Sequence, residues 1–188
     1  MSSRRRVHYT YAEYLRLEEE SPIRHEYLDG EIYAMGGGTP EHAALAAAVI
    51  RLLGAGVAPS CRVFTSGLRI RTSTGLTTYP DAAVVCGKTA RAADDSIAVT
   101  NPCVIVEVTS PSTEDYDRGE KLRHYKSLST VQEILIVSHR EPRITLHRRN
   151  NGAWLTSDAG AGGSVELASV GVRFNVDDVY RGGLEDAG

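Results

Sequence analysis

Long apolar runs are missing from this sequence. No stretch approaches the roughly 20 residues that would carry a helix across a bilayer. The arginine cluster Arg4–Arg6 is not followed by the apolar segment of a secretory leader, so no signal peptide is expected. Cysteine is scarce as well. Cys61, Cys86 and Cys103 are odd in number, widely spaced and without a C-x-x-C pair, a pattern that argues against a disulfide framework and against a cysteine-type zinc site. The expectation is small buried thiols in a reducing cytoplasm. Surplus positive charge is also missing. Twenty-one Lys and Arg stand against 24 Asp and Glu, for a formal net charge of -3. A chain of that balance does not bind nucleic acid by overall charge, so any such role needs a local patch or a bound cation. Aromatic residues make up only 6%, too few for the platform of a two-carboxylate glycosidase. There is no G-x-S-x-G elbow, no P-loop and no H-E-x-x-H. Gly36-Gly37-Gly38 precedes a helix, but no lysine follows it to cradle a nucleotide phosphate.

What is present describes a globular α/β protein. The 188 residues are 41% hydrophobic and 24% charged, enough to bury a core. One domain is expected over residues 9–181, between flexible segments at 1–8 and 182–188. Thr10-Tyr11-Ala12-Glu13 has capping-box form and predicts a helix to about Glu20. His25 to Met35 reads as a hairpin turning at Asp29-Gly30. Thr39-Pro40-Glu41 starts a second helix reaching about Leu53. Strands are expected at Arg62–Arg71 and Tyr79–Cys86, then a loop over Gly87–Asn101. Cys103–Val108 and Glu133–Val137 read as buried strands. A helix between them, from Pro111 to about Leu128, makes them parallel neighbours. Asn150-Asn151-Gly152 predicts a late hairpin. A short strand at Val165–Leu167 and a turn or short helix over Phe174–Tyr180 complete the chain.

Glu107 is the most informative residue. It interrupts Val104-Ile105-Val106-Glu107-Val108, a run that would bury it. A buried carboxylate must be neutralised, paired or bound to a cation. Asp81 stands at the mouth of a second apolar strand, in Pro80-Asp81-Ala82-Ala83-Val84-Val85. Two acids on neighbouring central strands are hard to explain as packing. Mg²⁺ takes one or two carboxylates, keeps several waters and bridges to phosphate. Asp117, Lys121 and Tyr125 are spaced i, i+4, i+8 and share one helix stripe. Lys121 would lie roughly 12 Å along that helix at about 1.5 Å per residue, which brings it to a height similar to Glu107.

Pro80-Asp81, the run Ile105-Val106-Glu107-Val108-Thr109-Ser110-Pro111-Ser112-Thr113, Asp117, Lys121 and Tyr125 together resemble the Uma2 family (DUF820). This is a restriction-endonuclease-like family within the PD-(D/E)XK nuclease superfamily. Support comes from the hairpin Glu26-Tyr27-Leu28-Asp29-Gly30-Glu31, from His42 and from the closing Phe174–Tyr180. The resemblance spans roughly Tyr9 to Tyr180. It implies a mixed central sheet of four core strands flanked by helices, with added antiparallel hairpins. It further implies a Mg²⁺-dependent endonuclease, with Mn²⁺ as substitute, in which Asp81 and Glu107 hold the metal. Thr109 stands where the superfamily carries lysine, and Lys121 is the residue placed to replace it.

Glu26 is read either as a further catalytic acid or as a hairpin surface acid, and His42 as a phosphate contact or a helix cap. Asp117 and Tyr125 are accessory candidates. Arg69 and Arg71 alternate with Ile70 and would form a face towards a nucleic-acid backbone. The expected partner is DNA. Duplex cleavage would favour a homodimer. The alternative is a catalytically silent nuclease fold acting as a binding or regulatory module.

Overall fold

The computed structural model describes residues 7–182 and 184. Residues 1–6, 183 and 185–188 make up most of the two expected terminal segments and lie outside the described residues. Helix α1 (Tyr11–Glu20) opens with the anticipated capping box. Thr10 accepts a hydrogen bond from the Glu13 N–H, and Glu13 accepts one in return from the Thr10 N–H. Strands β1 (His25–Leu28) and β2 (Glu31–Ala34) form a hairpin. Its turn needs left-handed backbone at both central positions, which Asp29 (φ 48°) and Gly30 (φ 85°) supply. Helix α2 (Pro40–Gly56) starts behind Thr39, with Pro40 in its first turn.

The strand expected over Arg62–Arg71 is two strands, β3 (Cys61–Thr65) and β4 (Ile70–Arg71), because Leu68 closes a turn onto the Thr65 carbonyl. After β5 (Thr77–Thr78) comes β6 (Ala82–Cys86). The segment expected to be a loop contains β7 (Arg91–Ala92) and β8 (Asp95–Val99). Both are short, and β8 buries only some of its residues, so neither carries the apolar alternation that marks a strand in sequence. Strand β9 (Val104–Val108) follows as expected.

The helix expected from Pro111 to Leu128 is broken into α3 (Glu114–Tyr116), a π-helical turn over Asp117–Lys121, and α4 (Leu122–Ser127). The rest is β10 (Glu133–Val137), the long hairpin β11 (Arg143–Asn150) and β12 (Ala153–Gly160), the pair β13 (Ser164–Leu167) and β14 (Val172–Asn175), and α5 (Val176–Tyr180). Among the described residues, no helix is long and apolar enough to cross a membrane.

The central sheet has six strands in the order β12-β11-β10-β9-β6-β3. It is mixed: β9 and β10 run parallel, and the other neighbours are antiparallel. A second sheet, β2-β1-β5-β4-β8-β7, carries the early hairpin. The expected class, a mixed sheet flanked by helices with antiparallel hairpins, is the one observed. The pleat sorts the central strands cleanly. Val104, Val106 and Val108 join Leu45, Val49 and Leu53 of α2 in one core. Ile105, Ile134 and Ile136 join Leu122, Tyr125 and Leu128 in the other. Glu107 has the parity of Ile105, and therefore faces α4.

The cysteine expectation is corrected. Cys61 and Cys86 stand opposite one another in the β3–β6 register and form a disulfide. Their pairing follows from strand register, which cysteine spacing along the chain does not encode. Cys103 is free, with its sulfur 3.5 Å from that of Cys86.

Candidate active site

Four elements deliver acids to one place. Glu107 comes from β9 and Asp81 from the entry to β6. Glu26 comes from β1, and Asp117 from the π-helical turn. The ammonium of Lys121 sits among them. Its Nζ lies 2.9 Å from Glu107 Oε1, 2.9 Å from Glu26 Oε1 and 3.7 Å from Asp117 Oδ1. Tyr125, one turn further along α4, donates its hydroxyl to the same Glu107 Oε1. Thr78 on β5 donates to Glu26, and Thr113 donates to Asp117 at 2.6 Å. Asp81 Oδ2 accepts the Val108 N–H at 2.8 Å, which ties β6 to β9 at their open ends. His42 on the first turn of α2 brings Nε2 to 3.3 Å from the same oxygen.

Burial dominates the electrostatics. It pushes the Glu107 carboxyl upward, and Lys121 pulls against it. It also raises Asp117, again opposed by Lys121. For Lys121, burial alone would favour the neutral amine, but Glu107, Tyr125, Glu26 and Asp117 overcome it. The ammonium is held well above its ordinary value. His42 is raised chiefly by its hydrogen bond to Asp81.

The sequence candidates therefore separate. Asp81, Glu107, Lys121, Asp117 and Tyr125 converge. Glu26 joins them as a buried acid and is not a hairpin surface residue. His42 donates its backbone N–H to the cap residue Thr39, and its ring reaches Asp81. Arg69 and Arg71 are both engaged by partners within the second sheet and its neighbours. Arg69 is buried, bonded to Asp95 at 2.9 Å and to the Tyr79 hydroxyl at 2.7 Å, with Glu18 also close. Arg71 stacks on Tyr11 and pairs with Asp94. The alternation was real, but β4 belongs to the second sheet, where a buried acid meets the Arg69 side chain. Thr109 is buried too. Its hydroxyl meets His139 Nδ1 at 2.8 Å, so this position fastens the end of β10 and bears no cation.

Thr78 and Thr113 hold two of the acids, although neither has a role at the site that is legible in the sequence. Short polar residues of this kind carry no signal until their partners are known. Above the acids opens a cleft of about 670 Å³, walled by Tyr33 to Gly38, His42, Ser110 to Thr113 and Tyr116.

Among the described residues no three His, Cys, Asp or Glu side chains form a ready cation cage. The donor chemistry nonetheless suits a hard cation that keeps most of its waters. Asp81 Oδ1 and Glu107 Oε2 accept no hydrogen bond among the described residues, while the opposite oxygen of each is fully engaged. Two carboxylate oxygens on adjacent strands are thus left without a protein partner among the described residues.

The chain matches the model of the Uma2 family, described as "Putative restriction endonuclease", over residues 11–177. Two relatives come from Synechocystis sp. (strain ATCC 27184 / PCC 6803 / Kazusa). "Uncharacterized protein slr1290" is 41% identical over 176 residues, 90% of each chain. "Uncharacterized protein sll1609" is 28% identical over 152 residues, 79% of this chain and 86% of the relative. Among solved structures, "a putative nuclease belonging to DUF820" from Anabaena variabilis ATCC 29413 aligns with a TM-score of 0.73 at 19% identity. The alignment covers 90% of this chain and 96% of that one. At that identity the likeness speaks for the fold.

Proposed function

The chain belongs to the Uma2 family of restriction-endonuclease-like proteins, and on that premise we propose that it hydrolyses phosphodiester bonds of DNA with the help of a divalent cation. The observation that supports this reading is the convergence of two acids from adjacent central strands, Asp81 and Glu107, with a buried, charged lysine beside them. Asp81 Oδ1 and Glu107 Oε2 would hold Mg²⁺ or Mn²⁺. Such a cation lowers the pKa of a water and offsets charge on a phosphate oxygen.

The chain's own residues supply the remaining work. Lys121 stays cationic, so the proton of the attacking water would pass to bulk solvent rather than to this amine. Two of its three N–H groups are held by Glu107 and Glu26, and the third would be directed at a non-bridging phosphate oxygen, where negative charge grows in the transition state. Glu26 and Asp117 fix the position of the ammonium. Tyr125 occupies Glu107 Oε1 and so presents the other oxygen to the cation. His42 does the same for Asp81.

One observation favours a second reading, a silent nucleic-acid-binding or regulatory module. The Lys121 ammonium already bridges Glu26 and Glu107, and so provides positive charge at the acids from within the chain. Cleavage of a labelled oligonucleotide in Mg²⁺ or Mn²⁺ decides between the two. Asp81→Ala and Glu107→Ala should each lower the rate at least about 100-fold while far-UV circular dichroism is unchanged. Full activity in either purified variant would exclude the assignment.

A further inference from the structure

This inference rests on the hydrolytic reading and specifies its substrate. The reacting groups lie on a floor, not on a face. Glu107 is 4% exposed, Lys121 5%, Asp117 3% and Glu26 8%. The cleft above them, about 670 Å³, falls within the roughly 300–1,000 Å³ of pockets that enclose small ligands. It has room for a nucleotide unit, and not for a length of double helix.

Its charge also argues against a duplex. Glu26, Asp81, Glu107, Asp117 and Glu120 line it against Lys121, and no arginine does so among the described residues. Proteins that hold duplex DNA neutralise many phosphates with Lys and Arg. Here the neighbouring arginines are engaged: Arg118 and Arg140 both pair with Glu114. A double helix laid over this mouth would bring two strands of phosphates to a lining whose one Lys or Arg side chain, among the described residues, is Lys121. The walls are of another kind. Tyr33, 47% exposed, projects from β2, with Met35, Pro111 and Tyr116 along the same cleft. Rings and apolar side chains along the cleft suit the face of an unpaired base.

We infer that the cleft takes single-stranded DNA. One nucleotide unit enters with its base against Tyr33 and its phosphate over Asp81 and Glu107. A strand that is already unpaired can thread this opening without spending energy on melting.

Fluorescence anisotropy with the full chain tests this. The probes are a labelled 20-mer and the same strand in a perfect duplex, both in Ca²⁺, with cleavage in Mg²⁺ followed alongside. The single strand should bind at least tenfold more tightly. Tyr33→Ala should weaken single-strand binding at least fivefold. Tyr33→Phe, which keeps the ring but loses the hydroxyl contact to Glu31, should bind like the wild type. Equal or tighter binding of duplex, no binding of either probe, or no effect of Tyr33→Ala would overturn the inference. Preferential cleavage of duplex would overturn it while leaving the hydrolytic reading intact. Selective single-strand binding with no cleavage would support it and contradict hydrolysis.

Discussion

His147 shows how a single buried side chain sets a pH limit on the fold. It sits on β11 at 8% exposure, with Nδ1 2.9 Å from the Thr156 hydroxyl. Burial, with smaller contributions from Lys126 and Arg118, pushes its pKa down to about 4. The fold therefore prefers the neutral ring, while the unfolded chain takes up a proton near the ordinary value of about 6.5. The stabilising contribution is complete above that pH and is lost as pH falls from about 6.5 towards 4. The thermal midpoint should decline across this window, and His147→Gln should show a visibly shallower decline. Parallel slopes in the two proteins would contradict the assignment.

Residue identity was legible in sequence where a side chain contradicted its surroundings. Glu107 in a valine–isoleucine run had to find a partner, and it has Lys121 and Tyr125. Arg69 offered no such contradiction. Its neighbours are unremarkable in sequence, and its partners Glu18, Tyr79 and Asp95 arrive from three separate parts of the chain.

At the scale of elements, local chemistry was the reliable guide. Asp29-Gly30 and Asn150-Asn151-Gly152 both make the hairpins expected of them, with Asp29 and Asn151 at positive φ. Thr39 caps α2 by accepting the His42 N–H at 3.2 Å. Thr39→Ala should lower stability by about 1 kcal/mol, as is typical of a lost N-cap. Urea unfolding measures this directly, and an unchanged midpoint would mean the cap contributes nothing.

Elements held by long-range contacts were not legible. Strands β7 and β8 have too little apolar pattern, and the Cys61–Cys86 bond depends on register. The π-helical turn likewise has no compositional mark. It lies where the chain must bring Asp117 and Lys121 to the same face, and such single turns recur at functional sites. The i, i+4, i+8 spacing predicted that shared face correctly, although the backbone between is not a continuous α-helix.

The whole molecule is organised around the open end of its central sheet. Register sets Ala82 against Val106, and a backbone hydrogen bond joins Val108 to Asp81. The two carboxylates are therefore neighbours by construction. The hairpin β1–β2, helix α2 and the broken helix after β9 then close around them from three directions. The formal charge of -3 fits this arrangement, since part of the acidity is gathered at one cleft, where a bound cation would reverse the local sign.

The most direct test of the account is a crystal soaked in Mn²⁺ and measured at the manganese absorption edge. It should show an anomalous peak at coordination distance from both Asp81 and Glu107, with Lys121 beside it. That peak should vanish in Asp81→Asn. No manganese between these two residues, or manganese held only elsewhere on the chain, would contradict the account.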